Sequence, residues 1–431
     1  MAKKPGLSAS DRLLAVTTLS FDIAGLELFL PLVVGAQVVL AGKDTTVDGS
    51  LLLKLASSSG ATVMQATPAT WRLMLEAGWK GTPALKILCG GEALQRELAN
   101  QLVACGEVWN MYGPTETTIW SATSRVESGA GPVTIGPPIQ NTQFYVLDKQ
   151  NQPLGIGVPG ELHIGGDGVA RGYFKRPELT AERFVPDPFN ATTNQRLYKT
   201  GDLVRYRTNG HLEFLGRLDN QVKVRGFRIE LGEIESALAK VPGVRESVVL
   251  AREDEPGMKQ LVAYIVAEES QKPLPADMRT FVGRSLPDYM IPSVFVFLPE
   301  MPRTPNGKID RQALPAPDQE NVGSREAYIA PRNPQEEKLA AICAEVLHLD
   351  RVSVLDSLFD LGADSIHLFQ IIARAGRVGI VMSPQHVLRL QTVAAIASEI
   401  DATGASVPSD SEIKRAPREQ YRMHPATTRS I

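Results

Sequence analysis

Cysteine is scarce. Cys89, Cys105 and Cys343 are the only three in 431 residues, and their wide separation offers neither a C-x-x-C metal or redox pair nor a disulfide framework. A reducing compartment, the cytoplasm, is the expected setting. Net charge is nearly absent too: 45 Lys+Arg against 48 Asp+Glu leave −3. With no long basic run, nothing offers an electrostatic grip on nucleic acid or acidic lipid, and small near-neutral partners fit better. The opening Met1-Ala2-Lys3-Lys4-Pro5 has no apolar signal region, and no window approaches the roughly 18 uninterrupted apolar residues of a membrane span. There is no internal repeat.

What is present is enough apolar material, 43% of the residues, for two or three separate cores, so a multidomain chain is expected. From Leu13 to about Ser121, β-rich runs such as Ala36–Ala41 and Leu85–Cys89 alternate with helical patterns such as Ser50–Ser58 and Leu94–Val103. That alternation predicts βαβ units and a largely parallel sheet. From Val133 to about Phe214, Gly- and Pro-punctuated strands predict a β-barrel-like or antiparallel part. A compact α+β segment follows, with strands at Gln221–Arg225, Glu246–Ala251 and Leu261–Ala267 and helices at Leu231–Lys240 and Met278–Ser285. Pro-rich, polar residues 315–330 read as a linker. Apolar spacing at Leu339, Ile342, Val346 and Leu347, then Ser365–Ala375 and Val393–Ile400, predicts a small helical bundle over 331–402. Residues 403–431 read as a flexible tail.

Several short stretches carry chemistry. Asn110-Met111-Tyr112-Gly113-Pro114-Thr115-Glu116-Thr117-Thr118 packs a ring, a tight turn, hydroxyls and a carboxylate into one loop. Lys308 follows Asn306-Gly307 in a loop. Asp364-Ser365 opens a helix, where a hydroxyl can cap and where added negative charge is tolerated well.

The order of motifs is more specific than any one of them. Tyr112 to Glu116, then Tyr198-Lys199-Thr200-Gly201-Asp202-Leu203, then Gly216-Arg217-Leu218-Asp219 through Gly226, then Asn306-Gly307-Lys308, resembles the ANL superfamily of adenylate-forming enzymes. The Asp364-Ser365 bundle behind it resembles a peptidyl carrier domain, the pairing found in nonribosomal peptide synthetases. The resemblance implies ATP, Mg²⁺ and 4′-phosphopantetheine as cofactors. Tyr112 would stack on adenine, Thr115 would contact phosphate, and Glu116 would hold Mg²⁺, a hard cation suited to oxygen ligands. Asp202 would accept both ribose hydroxyls with Arg217 in support, and Asp219 would be the hinge between large (1–217) and small (218–314) subdomains. Lys308 would be catalytic, bridging carboxylate and α-phosphate. Ser365 would carry phosphopantetheine, although Gly362-Ala363-Asp364-Ser365 departs by one methyl from the usual Gly-Gly-Asp-Ser. Gly165–Tyr173 with Arg176–Thr180 also matches and reads as turns and packing.

Phe21-Asp22-Ile23 resembles the opening of an amino-acid pocket, with Asp22 pairing with the substrate ammonium. Carried over by position, Ile23, Leu26, Gln65, Leu88, Gly90, Met111, Ile119 and Trp120 would line the rest. Bulky Trp120, Met111, Leu26 and Leu88 leave little room, so glycine is the expected substrate, with alanine next. The family's Ser/Thr/Gly-rich phosphate loop ending in Pro-Lys-Gly does not occur in the 20 residues before Phe21. A fragment truncated at its N-terminus, with impaired adenylation and an independent carrier, is therefore expected. A phosphopantetheinyl transferase and a neighbouring condensation domain, to which the tail would lead, are the implied partners. The rivals are an acyl- or aryl-CoA ligase of the same superfamily and a catalytically dead carrier or scaffold.

Overall fold

The computed structural model describes residues 1–403 apart from 83, 191–194, 225, 255–258, 269–270, 305–306, 318–327, 348, 360, 362, 364, 384–386 and 388. Most of the expected linker and all of the expected tail beyond residue 403 lie outside the described residues.

The first part is a six-stranded sheet built from β1 (Arg12–Ala15), β2 (Gln37–Leu40), β3 (Val63–Ala66), β4 (Lys86–Gly90), β5 (Glu107–Tyr112) and β6 (Ala122–Val126), in the order β2-β1-β3-β4-β5-β6. The first five run parallel and β6 antiparallel. Helices α1 (Ala24–Val34), α2 (Lys43–Thr46), α3 (Gly49–Ser59), α4 (Pro68–Glu76) and α5 (Arg96–Cys105) supply the connections. Helix α3 starts and stops on local chemistry: the Asp48 carboxylate accepts from the backbone N–H groups of Ser50 and Leu51, and Gly60 closes the helix in the left-handed region.

Strand alternation sorts this sheet into two faces. Leu14, Met64, Ile87, Cys89 and Val108 pack on one face with Trp71, Met74, Leu98 and Leu102. Leu13, Val63, Leu88 and Met111 pack on the other with Ile23, Leu26 and Trp120. The same period of two sends Gln65 and Gly90 to this second face. Chain direction reverses its order between β1 and β3, and such switch points at the carboxyl ends of parallel strands are where ligands bind.

Residues 142–217 form an antiparallel sheet, not a closed barrel, from β7 (Thr142–Leu147), β8 (Gly160–Gly166), β9 (Phe184–Pro186), β10 (Arg196–Tyr206) and β11 (Leu212–Arg217), with α6 (Pro177–Arg183) beside it. The antiparallel half of the sequence expectation is the one realised. Next comes the hairpin β12 (Gln221–Val224) and β13 (Phe227–Glu230), then α7 (Leu231–Leu238), β14 (Val244–Arg252), β15 (Gln260–Ala267), α8 (Pro275–Val282) and β16 (Val294–Phe297). Strand β16, a Val-Phe-Val-Phe run absent from the sequence reading, pairs parallel with β15 and completes a three-stranded sheet. The last part packs α9 (Pro334–Val346), α10 (Ser365–Arg377) and α11 (Val393–Thr403) around Leu339, Val346, Leu358, Leu368, Ile371 and Val393. It touches the first and third of these parts: Arg279 Nη2 donates to the Phe359 carbonyl at 2.7 Å, and Gln370 Nε2 to Glu76 Oε2 at 3.1 Å.

The bundle's core shares no residue with the other cores, so it should unfold separately. Leu339→Ala, at a fully buried position, should lower one calorimetric transition by about 2–5 kcal/mol and leave the transition of the six-stranded sheet in place. A parallel fall of all transitions would show the cores to be one cooperative unit.

Candidate functional site

A cavity of about 790 Å³ opens at the carboxyl ends of β4 and β5, between them, the antiparallel sheet and the β12–β13 hairpin. Its walls include Gly91, Glu92, Tyr112, Asp202, Arg217 and Lys223. Asp202 on β10 and Arg217 on β11 are register partners, which places a cation and a carboxylate opposite one another. Arg217 Nη1 donates to Asp202 Oδ1 at 2.6 Å, and the Tyr112 hydroxyl donates to Asp202 Oδ2 at 2.5 Å. Arg217 also grips Asp219 with two bonds of 2.7 Å and the Thr200 carbonyl with one of 3.1 Å. Burial raises the Tyr112 phenol well above its ordinary pKa and neighbouring Asp202 adds to the rise, so the hydroxyl stays a donor. At Asp219 burial also pushes upward, but the bonds and charge of Arg217 outweigh it and the net direction is down.

The expected motif residues meet here in an unexpected arrangement. Thr115 Oγ1 donates to Asp22 Oδ2 at 2.6 Å, joining the two residues assigned to phosphate and to ammonium. Glu116, largely buried, is held at both oxygens: Arg228 Nη1 donates at 2.9 and 2.8 Å, and the Tyr173 hydroxyl donates at 2.6 Å. Burial would raise the Glu116 pKa, and the Arg228 charge reverses the direction to downward. The turn after Glu116 has Thr118 and Ile119 at φ +63° and +72°. A β-branched residue is strained there; the turn brings Trp120 back under β5, where it is buried beside Met111 and Leu88.

The pocket residues Ile23, Leu26, Leu88, Met111 and Trp120 form one buried cluster with Ile119 against it. Gly90 is required by contact: a Cβ there would lie 2.5 Å from Trp120 Cη2 and 2.6 Å from the Met111 carbonyl oxygen. Gln65 is wholly buried and hydrogen-bonded at both ends rather than free in the pocket.

Two expected residues stand elsewhere or unseen. Lys308 lies exposed on a turn whose carbonyl accepts from Thr304, and it is not part of the cavity wall. Ser365 is the first residue of α10, and its neighbour Asp364 lies outside the described residues. In place of Lys308 the cavity receives Lys223, whose pKa is lowered, chiefly by burial. Sequence reasoning missed Lys223, Arg228, Glu92 and Tyr173. The available signal was the hairpin's own alternation: Lys223 faces Arg228 and Gln221 faces Glu230 across the strands, so one face of an otherwise apolar ribbon is charged. Gly226 at its turn donates to Glu92, Phe227 stacks between Phe21 at 6.1 Å and Tyr289 at 4.0 Å, and the charged face is thereby pressed over the cavity.

Among the described residues no cluster of three or more His, Cys, Asp or Glu could hold a metal by itself, and no helix is long and apolar enough to cross a membrane. A lone carboxylate such as Glu116 suits a Mg²⁺ whose remaining ligands are nucleotide phosphates and water.

Comparison with known proteins gives three matches in sequence order: AMP-binding enzyme over residues 1–174, AMP-binding enzyme C-terminal domain over 233–308, and phosphopantetheine attachment site over 337–400. A dimodular nonribosomal peptide synthase of Bacillus subtilis (strain 168) is 47% identical over 96% of this chain, which spans 17% of that relative's length. A four-domain nonribosomal peptide synthetase bound to AMP and glycine is 40% identical over 93% of this chain and 30% of its own, with a TM-score of 0.50. A synthetase protein containing adenylation and carrier domains, bound to a vinylsulfonamide inhibitor, is 26% identical over 92% and 66%, with a TM-score of 0.77. The cofactors of these families are ATP with Mg²⁺ and 4′-phosphopantetheine. A tyrosine and a partly buried Asp–Arg–Asp array at the end of a parallel sheet, with a separate helical bundle behind them, are thus the parts of one family: the chain belongs to the AMP-binding enzymes of nonribosomal peptide synthesis, with adenylation and carrier domains fused.

Proposed function

We propose that this chain activates an amino acid, glycine in preference, as its adenylate and accepts the acyl group on its own carrier domain. The observation that carries the reading is Asp202 at the cavity wall, oriented by Tyr112 and Arg217. Its two oxygens retain lone pairs for a ribose diol, and the Tyr112 ring lines the same cavity for an adenine. Residues 1–217 and 218–314 would be the two parts of the adenylation unit, 315–330 the linker, 331–402 the carrier, and 403–431 a lead into a neighbouring condensation domain. Three unpaired, buried cysteines suit a reducing cytoplasm.

The residues divide the work by position. Asp22, now holding Thr115, would turn to the substrate ammonium, and Thr115 to phosphate. Glu116 becomes a Mg²⁺ ligand only when Arg228 withdraws, since both claim the same oxygens. Rotation about Asp219 would remove Lys223 and Arg228 from the cavity and bring Lys308 toward it, where its charge would stabilise negative charge growing between carboxylate and α-phosphate. The closed hairpin is then the arrangement for acyl transfer. Ser365 would hold phosphopantetheine, whose thiol would accept the acyl group from the adenylate with release of AMP, and the helix N-terminus at Ser365 would favour its phosphate.

Two measurements check this reading. Treatment of the 431-residue chain with a phosphopantetheinyl transferase and coenzyme A should add a single phosphopantetheine by intact mass; the same addition to Ser365→Ala would remove Ser365 from the assignment. In a chain carrying the family's phosphate loop ahead of Phe21, Trp120→Ala should raise pyrophosphate exchange with alanine and larger amino acids relative to glycine by roughly tenfold or more. An unchanged profile would place the substrate side chain somewhere other than against Trp120.

A further inference from the structure

Beneath the pocket lies a carboxylate that the motifs leave unexplained. Glu27 on α1 is fully buried, and the bonds made to it come from neutral donors: the backbone N–H groups of Val16 and Thr17 at 2.9 and 3.0 Å, the Thr17 hydroxyl at 2.5 Å, and Gln65 Nε2 at 2.9 Å. A buried carboxylate supported only by neutral donors is costly, so its position calls for a reason.

The reason is visible in what it does to Gln65. An amide nitrogen has two protons, and here one goes to Glu27 and the other to the Ile23 carbonyl at 2.9 Å. The amide oxygen is left facing the other way and accepts from Trp120 Nε1 at 2.8 Å. Flipping the amide would set its oxygen against a carboxylate and a carbonyl, and its NH₂ against the indole N–H. All three contacts would become repulsive, so one orientation survives. The far edge of the indole so anchored rests over Gly90 and closes the pocket.

We propose that Glu27 is a positioning residue for substrate size: through Gln65 it locks the Trp120 indole against Gly90 and so limits the pocket to the smallest amino acids. This rests on the adenylation reading above, but the lock itself is a property of the protein without substrate. Glu27 is not part of the cavity wall and acts through Gln65.

The test is ¹⁹F NMR of the full chain labelled with 5-fluorotryptophan. The four tryptophans should give four lines, with the Trp120 line assigned by Trp120→Phe. Glu27→Gln and Gln65→Met should each shift or broaden the Trp120 line and leave the lines of Trp71 and Trp79, on the opposite face of the sheet, in place. In a chain competent for adenylation, both variants should raise the alanine-to-glycine ratio of kcat/KM by roughly tenfold. If Glu27→Gln fails to fold, Gln65→Met decides alone. An unmoved Trp120 line in folded Gln65→Met overturns the lock, and a moved line with an unchanged substrate ratio overturns its role in size selection. A moved line in a protein that activates neither glycine nor alanine leaves the lock standing and sinks the glycine reading instead.

Discussion

One guanidinium joins the two ends of this site. Arg217, 13% exposed, bonds Asp202 at the cavity wall and Asp219 at the start of the hairpin. Without it two carboxylates would face each other, uncompensated, in a partly buried place. The register of β10 and β11 makes the pairing possible, and the bulge between Leu203 and Val204 comes just after Asp202. The site therefore sits where one sheet ends and the hairpin begins, and whatever moves the hairpin must work against Arg217.

Glu116 adds a second constraint, of exclusion. Its two oxygens are already satisfied by Arg228 and Tyr173. The hairpin is further held by Phe227 between Phe21 and Tyr289. On the proposed function, this arrangement would suit one half of a two-step reaction and the exposed Lys308 would belong to the other half. On that reading stability and function share contacts, because the bonds that secure the hairpin are those a metal-bound nucleotide would displace.

The parts of the fold that depend on local pattern were legible in the sequence. Parallel strands such as Gln37–Leu40 and Lys86–Gly90 showed as apolar runs, and the carrier helices showed by their period. The residues expected to line an amino-acid pocket came from their position in a motif, and strand alternation explains why Gln65, Leu88, Gly90 and Met111 share a face. What pattern could not show was partnership at a distance. Glu27 reads as one polar residue on an apolar helix, and only the fold brings it to Gln65, 38 residues away along the chain. Arg228 and Glu116 are separated by 112 residues. Strand β16 was missed because four residues carry too little periodicity to separate a strand from a loop.

The central claim, that the site selects a small amino acid and passes it to Ser365, is tested most directly by loading. A chain complete for adenylation and bearing phosphopantetheine is offered ATP, Mg²⁺ and an equimolar mixture of amino acids, and the group captured on the carrier is identified by mass spectrometry. The expected result is a glycyl group on phosphopantetheine at Ser365, with alanyl as the minor product. A phenylalanyl or leucyl group at that position, or an unacylated carrier despite amino-acid-dependent adenylate formation, would contradict it.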